Sequence, residues 1–194
     1  TYTRMRQKAA TRDAEGYLTQ YTYNAAGLLA SEIQYAERAI DLEHLPQSHS
    51  QDRKTTFTYD NLGQLIQKTL HQVTFQQLKD NHMRAETQTA DLSEYYQYDA
   101  MGNTVAVTDV MNHTVYLYYN RQNQVIARIG AQHQMGRAAT TYTYDALGHL
   151  LESRQYEQGA ESANIEGFVL KKPGTQDVIL RDIYNQSGQL VTQM

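Results

Sequence analysis

Aromatic and polar positions alternate along much of this chain, and the alternation breaks off in the same way each time. In "TTFTYD" from Thr55 and "TTYTYD" from Thr140 two aromatic residues stand two apart among threonines. In an extended strand such residues project from one face, and β-branched and aromatic side chains favour that conformation. Each run ends in Asp or Asn, two variable residues and Gly. A second run then begins, as in "QLIQK", "HLLES", "QVIAR" and "QLVTQ". A period of two on both sides of a turn signal predicts a β-hairpin.

Aligned on the second aromatic, six copies appear: "YTYNAAGLL" (Tyr21), "FTYDNLGQL" (Phe57), "YQYDAMGNT" (Tyr96), "LYYNRQNQV" (Leu117), "YTYDALGHL" (Tyr142) and "DIYNQSGQL" (Asp182). Their anchors, Tyr23, Tyr59, Tyr98, Tyr119, Tyr144 and Tyr184, are spaced by 36, 39, 21, 25 and 40 residues. These are one or two units of about 20 residues, the range of stacked repeats. "RDAEGYL" from Arg12 reads as a partial further copy.

Each position has a physical reason. Asn24, Asp60, Asp99, Asn120, Asp145 and Asn185 occupy the first place of a type I turn, where a short polar side chain accepts bonds from nearby backbone N–H groups. Gly27, Gly63, Gly102, Gly148 and Gly188 supply the left-handed residue of a turn plus bulge. Asn123 replaces glycine in the fourth copy, and asparagine tolerates that conformation next best. Leu29, Leu65, Val125, Leu150 and Leu190 follow two places later and return an aliphatic side chain to the sheet. "TDVMNHTVY" from Thr108 reverses the chain at the other end, so a repeat is two strands and two turns.

The whole of 1–194 therefore reads as a single repeat array. Three stretches interrupt it as insertions, at 36–54, 75–94 and 159–177. The first two have a helical or loop-like polarity, and the third reads as a loop with a strand near "FVL".

Composition narrows the function. Tyrosines number 16 against three phenylalanines and no tryptophan, and mean hydropathy is -0.69. That balance suits half-buried surfaces more than one thick core. A net charge of -4 argues against general affinity for nucleic acid or anionic membranes. No apolar run reaches the length of a spanning helix. Without cysteine there is no disulfide framework. The chain opens on Thr1 and reads as an excerpt of something longer.

The six copies of Y-x-Y-[D/N]-x-x-[G/N] resemble the YD repeats of the Rhs family, which includes bacterial Rhs proteins, the B and C components of Tc toxins and, more distantly, the teneurins. The resemblance covers Tyr21 to Val191. It implies an all-β, antiparallel sheet strip of stacked hairpins that spirals into a hollow shell. It also implies a secreted bacterial protein, with adjacent repeats and an enclosed polypeptide toxin as partners. The family's Asp-Pro self-cleavage motif is missing, since Pro46 and Pro173 do not follow Asp. On this basis the chain is an internal, non-enzymatic piece of shell with no cofactor.

Asp60, Asp99 and Asp145 are the obvious catalytic temptation. Asn24, Asn120 and Asn185 take their place in other copies, and an amide can cap a turn but cannot act as a carboxylate. The seven histidines show no metal-ligand spacing, and His149 is expected on the solvated surface. Tyrosine rows beside amides can also bind carbohydrate. An adhesin module recognising surface sugar or protein is therefore the alternative, against cross-strand aromatic ladders.

Overall fold

The computed structural model of the chain describes residues 1–3, 6–42, 44–79, 84–133, 136–185 and 187–194. It is all-β, with 14 strands and no helix among the described residues. The strands are β1 (Ala10–Arg12), β2 (Tyr17–Tyr23), β3 (Leu29–Arg38), β4 (Arg53–Tyr59), β5 (Leu65–Lys79), β6 (Arg84–Tyr98) and β7 (Thr104–Thr108). They continue with β8 (Thr114–Tyr119), β9 (Val125–His133), β10 (Gly136–Tyr144), β11 (Leu150–Asn164), β12 (Gly167–Leu170), β13 (Val178–Tyr184) and β14 (Leu190–Gln193). They pair antiparallel in chain order, with β12 beside β11. Two compact units divide the chain, Thr1–Glu94 and Tyr95–Met194.

In the first unit a small cluster is buried among the described residues: Ala10, Leu18 and Ala39, with Tyr35 packed against it. In the second unit Ile129, Ala139 and Ala160 are buried beneath Tyr116, Tyr118, Tyr156 and Phe168. Among the described residues seven of the nine buried hydrophobic ones are alanines. Register explains the choice. Ala106 lies opposite Tyr116 and Ala127 opposite Tyr118, so a broad ring and a methyl group share one cross-strand site. The accessible surface is 13918 Å², against roughly 9,400 Å² for a compact monomer of this mass. Strand pairing rather than a thick apolar core holds this chain together.

The second unit is locally two layers thick. β13 pairs with 152–155 and β12 with 160–164, both on the far edge of β11. The β11–β12 hairpin lies over β8. The Tyr118 hydroxyl reaches the carbonyls of Asn164 (2.7 Å) and Gly167 (2.9 Å), and its ring meets Phe168 at 4.6 Å. Gly159 permits the irregular register here. Its φ is +67, and a Cβ would collide with the Arg137 carbonyl.

The first interrupting stretch is the loop of its two readings, and the strand expected near "FVL" in the third is present. The second and the start of the third depart from their reading. β3 continues to Arg38, and residues 39–42 and 44–52 are irregular, with no helix. The second is neither helix nor loop where it is described, because β5 runs to Lys79 and β6 starts at Arg84. Positions 80–83 lie outside the described residues. In the third, 159–164 continue β11 and "FVL" lies in β12. For the second and third the physical reason is shared: a strand wet on both faces is polar throughout, so polarity does not separate it from a loop.

Candidate functional site

The corners are the most repeated geometry in the molecule. At Asp60 the backbone N–H donates to the Gln64 carbonyl at 3.0 Å, and the Gly63 N–H donates to the Asp60 carbonyl at 3.1 Å. Asp60 Oδ1 accepts from the N–H groups of Leu62 (2.9 Å) and Gln64 (2.8 Å). Gly63 has φ +80. Asn24, Asp99, Asn120, Asp145 and Asn185 repeat both pairs of bonds. Gly27, Gly102, Asn123, Gly148 and Gly188 repeat the positive φ. The turn bonds use only the acceptor Oδ1, which is why acid and amide interchange. Nδ2 of Asn120 and Asn185 also donates, to Oε1 of Gln124 and Gln189. Each carboxylate closes its own turn.

A bulge flanks each of these six corners, with its extra residue on the outgoing strand. The register shifts between Thr22 and Tyr23, Thr58 and Tyr59, Gln97 and Tyr98, Tyr118 and Tyr119, Thr143 and Tyr144, and Ile183 and Tyr184. The extra residues are Ala30, Ile66, Val105, Ile126, Leu151 and Val191. Each shifts the pairing so that the anchor tyrosine faces the residue two places past the left-handed one. The tyrosine hydroxyl then leaves its own hairpin. Tyr59 donates to the Leu29 carbonyl (2.9 Å), Tyr119 to Thr104 (3.0 Å) and Tyr144 to Val125 (2.8 Å). In each case the acceptor is two residues beyond the left-handed residue of the preceding corner.

A second set of contacts follows the same step. The side chain just after one left-handed residue faces the left-handed residue of the next corner. Gln124 Nε2 donates to the Gly148 carbonyl at 3.1 Å, and Asn103 donates to Asn123 Oδ1 at 3.1 Å. His149 lies 2.9 Å from where a Cβ on Gly188 would be. The corners within each unit therefore form a column linked by side chains.

Two corner carboxyls are held below their ordinary range. For Asp99 the leading cause is the Asn103 side-chain bond, and for Asp145 it is the bond from His149. His149 departs from its expected place in solvent. Its Nδ1 is 2.8 Å from Asp145 Oδ2, and its ring stacks on Tyr184 at 4.7 Å.

Sequence reasoning missed one corner and misplaced another. Tyr2 pairs with Lys8 as each anchor pairs with its aliphatic residue. Thr3 accepts from Gln7 N–H (3.2 Å), Arg6 has φ 60, and Tyr23 donates to the Lys8 carbonyl (2.8 Å). The available signal was spacing, since Tyr2 precedes Tyr23 by 21 residues. "RDAEGYL" makes the same turn at Asp13, but between β1 and β2, where β2 begins. It is a return turn and not a copy of the tyrosine corner. Asp109 and Asn112, with φ 63 at Asn112, make the return turn between β7 and β8 in the same way.

Beside the second unit's column lies a groove of about 730 Å³, with Asp99, Asn103 and Tyr119 on one side and Ile165 and Phe168 on the other. Among the described residues no group of three His, Asp or Glu side chains is placed to hold a metal.

No family model and no curated protein matches the sequence. Similar solved structures include the crystal structure of TcdB2-TccC3-Cdc42, at 15% identity over 97% of this chain, with TM-score 0.44. The crystal structure of TcdB2-TccC3 follows at 16% identity over 97%, with TM-score 0.43. A Photorhabdus luminescens Tc holotoxin pore matches at 13% identity over 100%, with TM-score 0.42. This chain spans only 11%, 11% and 13% of those chains.

Proposed function

We propose that this chain is a stretch of wall in a secreted, bacterial Rhs/YD-repeat shell that encloses a polypeptide cargo. The observation that carries this reading is the corner column. The hydroxyls of Tyr59, Tyr119 and Tyr144 are each spent on the neighbouring repeat, which makes the motif a joint between repeats. In this reading the structural residues are Tyr23, Gly27, Tyr59, Asp60, Gly63, Tyr98, Asp99, Gly102, Tyr119, Asn120, Asn123, Tyr144, Asp145, Gly148, Tyr184, Asn185 and Gly188. Array 1–194 then works as one strip of wall, and the wall's role is mechanical, calling for no cofactor.

A thin sheet also suits a wall, since each face meets cargo or solvent in place of a core. The carbohydrate-binding alternative is weaker because the aromatic faces carry cations of the chain itself. Lys8 stands over Tyr21 at 5.6 Å, and Arg137 over Tyr116 at 5.6 Å. Electron microscopy of the full-length protein containing this chain tests the reading. A hollow particle with protease-protected density inside is expected, and a solid or filamentous particle would overturn it.

A further inference from the structure

Four described residues other than glycine have positive φ: Arg6, Gln72, Asn112 and Asn123. Three of them are turn residues of the kind described above. Gln72, at φ 51, lies instead within β5. Backbone held in that region concentrates at functional sites, and bulged strands often adjoin them. The Gln72 N–H donates to Asp91 Oδ1 at 2.8 Å, which fixes the carboxylate beside the preceding residue, His71.

The three side chains there form a relay across three strands. Asp91 Oδ2 on β6 is 2.8 Å from His71 Nδ1, and His71 Nε2 on β5 is 2.8 Å from Thr56 Oγ1 on β4. The Gln72 N–H and then His71 hold the Asp91 carboxyl below its ordinary range. An ionised Asp91 fixes the proton on Nδ1 and leaves Nε2 to accept from the threonine hydroxyl, as in nucleophile–base–acid triads on unrelated folds.

A pocket of about 390 Å³ adjoins the relay, within the size range of small-molecule sites. His71 and Asp91 line it together with Ile33, Tyr35 and Lys54, and Thr56 stands behind His71, outside the lining. Its outer wall, Ser48, His49 and Asp52, comes from the stretch that interrupts the repeat after β3. Asp52 ties that wall down by accepting from the Ala36 N–H at 2.8 Å. Lys54 is two residues from Thr56 and so on the same face of β4, where an ammonium can face a developing oxyanion.

We propose that Thr56, His71 and Asp91 form an acyl-transfer site that cleaves small carboxylic esters. Thr56 Oγ1 attacks the carbonyl carbon and its proton passes to His71 Nε2. The bond to the alcohol oxygen breaks, and the departing alcohol takes that proton. Water then attacks the acyl-threonine. His71 accepts its proton and returns it to Thr56 Oγ1, releasing the carboxylic acid. Asp91 acts through His71 as a positioning residue.

The test uses p-nitrophenyl acetate with the full chain, following nitrophenolate release and locating the acetyl group by peptide mass spectrometry. The acetyl group is expected on Thr56. Thr56→Val and His71→Gln each lower the acylation rate by about 100-fold or more, and Thr56→Ser retains it. Asp91→Asn lowers kcat while leaving KM unchanged. Circular dichroism of each variant separates loss of chemistry from loss of fold. Acetylation of Lys54 in place of Thr56, or an undiminished rate in folded Thr56→Val, would overturn the proposal. Neither result bears on the wall reading.

Discussion

At the scale of single residues, the corner uses three different properties: an acceptor oxygen, a left-handed backbone and a tyrosine hydroxyl. They predict different mutational responses. Asn120→Asp is expected to keep both turn bonds and lose only the Nδ2 bond to Gln124 Oε1, a smaller cost than that of Asn120→Ala. Asn120→Ala loses two bonds to N–H groups and costs about 1 kcal/mol for each, measured by urea denaturation. Tyr144→Phe keeps the ring but loses the bond to Val125, again at about 1 kcal/mol. The acids add a pH dependence. Asp99 and Asp145 have folded pKa values below the usual one. They therefore stabilise the fold above the unfolded value, and this is lost as pH falls through the folded value. Below about pH 4 the denaturation midpoint should drop. Asp145→Asn should flatten that drop, because the amide caps the turn without titrating. These roles were legible in the sequence because acid and amide interchange at one position. The His149–Tyr184 stack was not legible, since the two belong to different corners 35 residues apart.

At the scale of elements, strand and corner were readable wherever aromatic alternation met Asp-x-x-Gly. The long hairpin of β5 and β6 was not. "FQQLK" and "ADLSE" carry too few apolar residues to display a strand period, and their strand state comes from pairing with neighbours. The β11–β12 hairpin belongs to this scale too. Gly159→Ala meets both a left-handed φ and the Arg137 carbonyl, so it should cost at least the roughly 1–2 kcal/mol of a left-handed residue. Hydrogen exchange should show the hairpin opening in that variant while the β7–β8 pair stays protected. Tyr118→Phe should loosen the same hairpin more mildly, by removing its hydroxyl from Asn164 and Gly167.

At the scale of the molecule, the chain buries few large side chains. Only Leu18 and Ile129 are large and fully buried among the described residues. Heat capacity of unfolding reports apolar exposure, about 12–15 cal/mol/K per residue in ordinary globular proteins. Calorimetry of this chain should give a value clearly below the corresponding roughly 2.5 kcal/mol/K. A value at or above that figure would mean that much more apolar surface is covered than the sheet shows.

By itself the sequence determined the corners, because turn chemistry is local: an acceptor, two free residues and a left-handed backbone act within five positions. The tertiary structure alone decided which corner each tyrosine serves, how polar strands pair, and that Thr56, His71 and Asp91 meet. Those outcomes depend on strand register, and register is set by contacts between segments that the chain order leaves far apart.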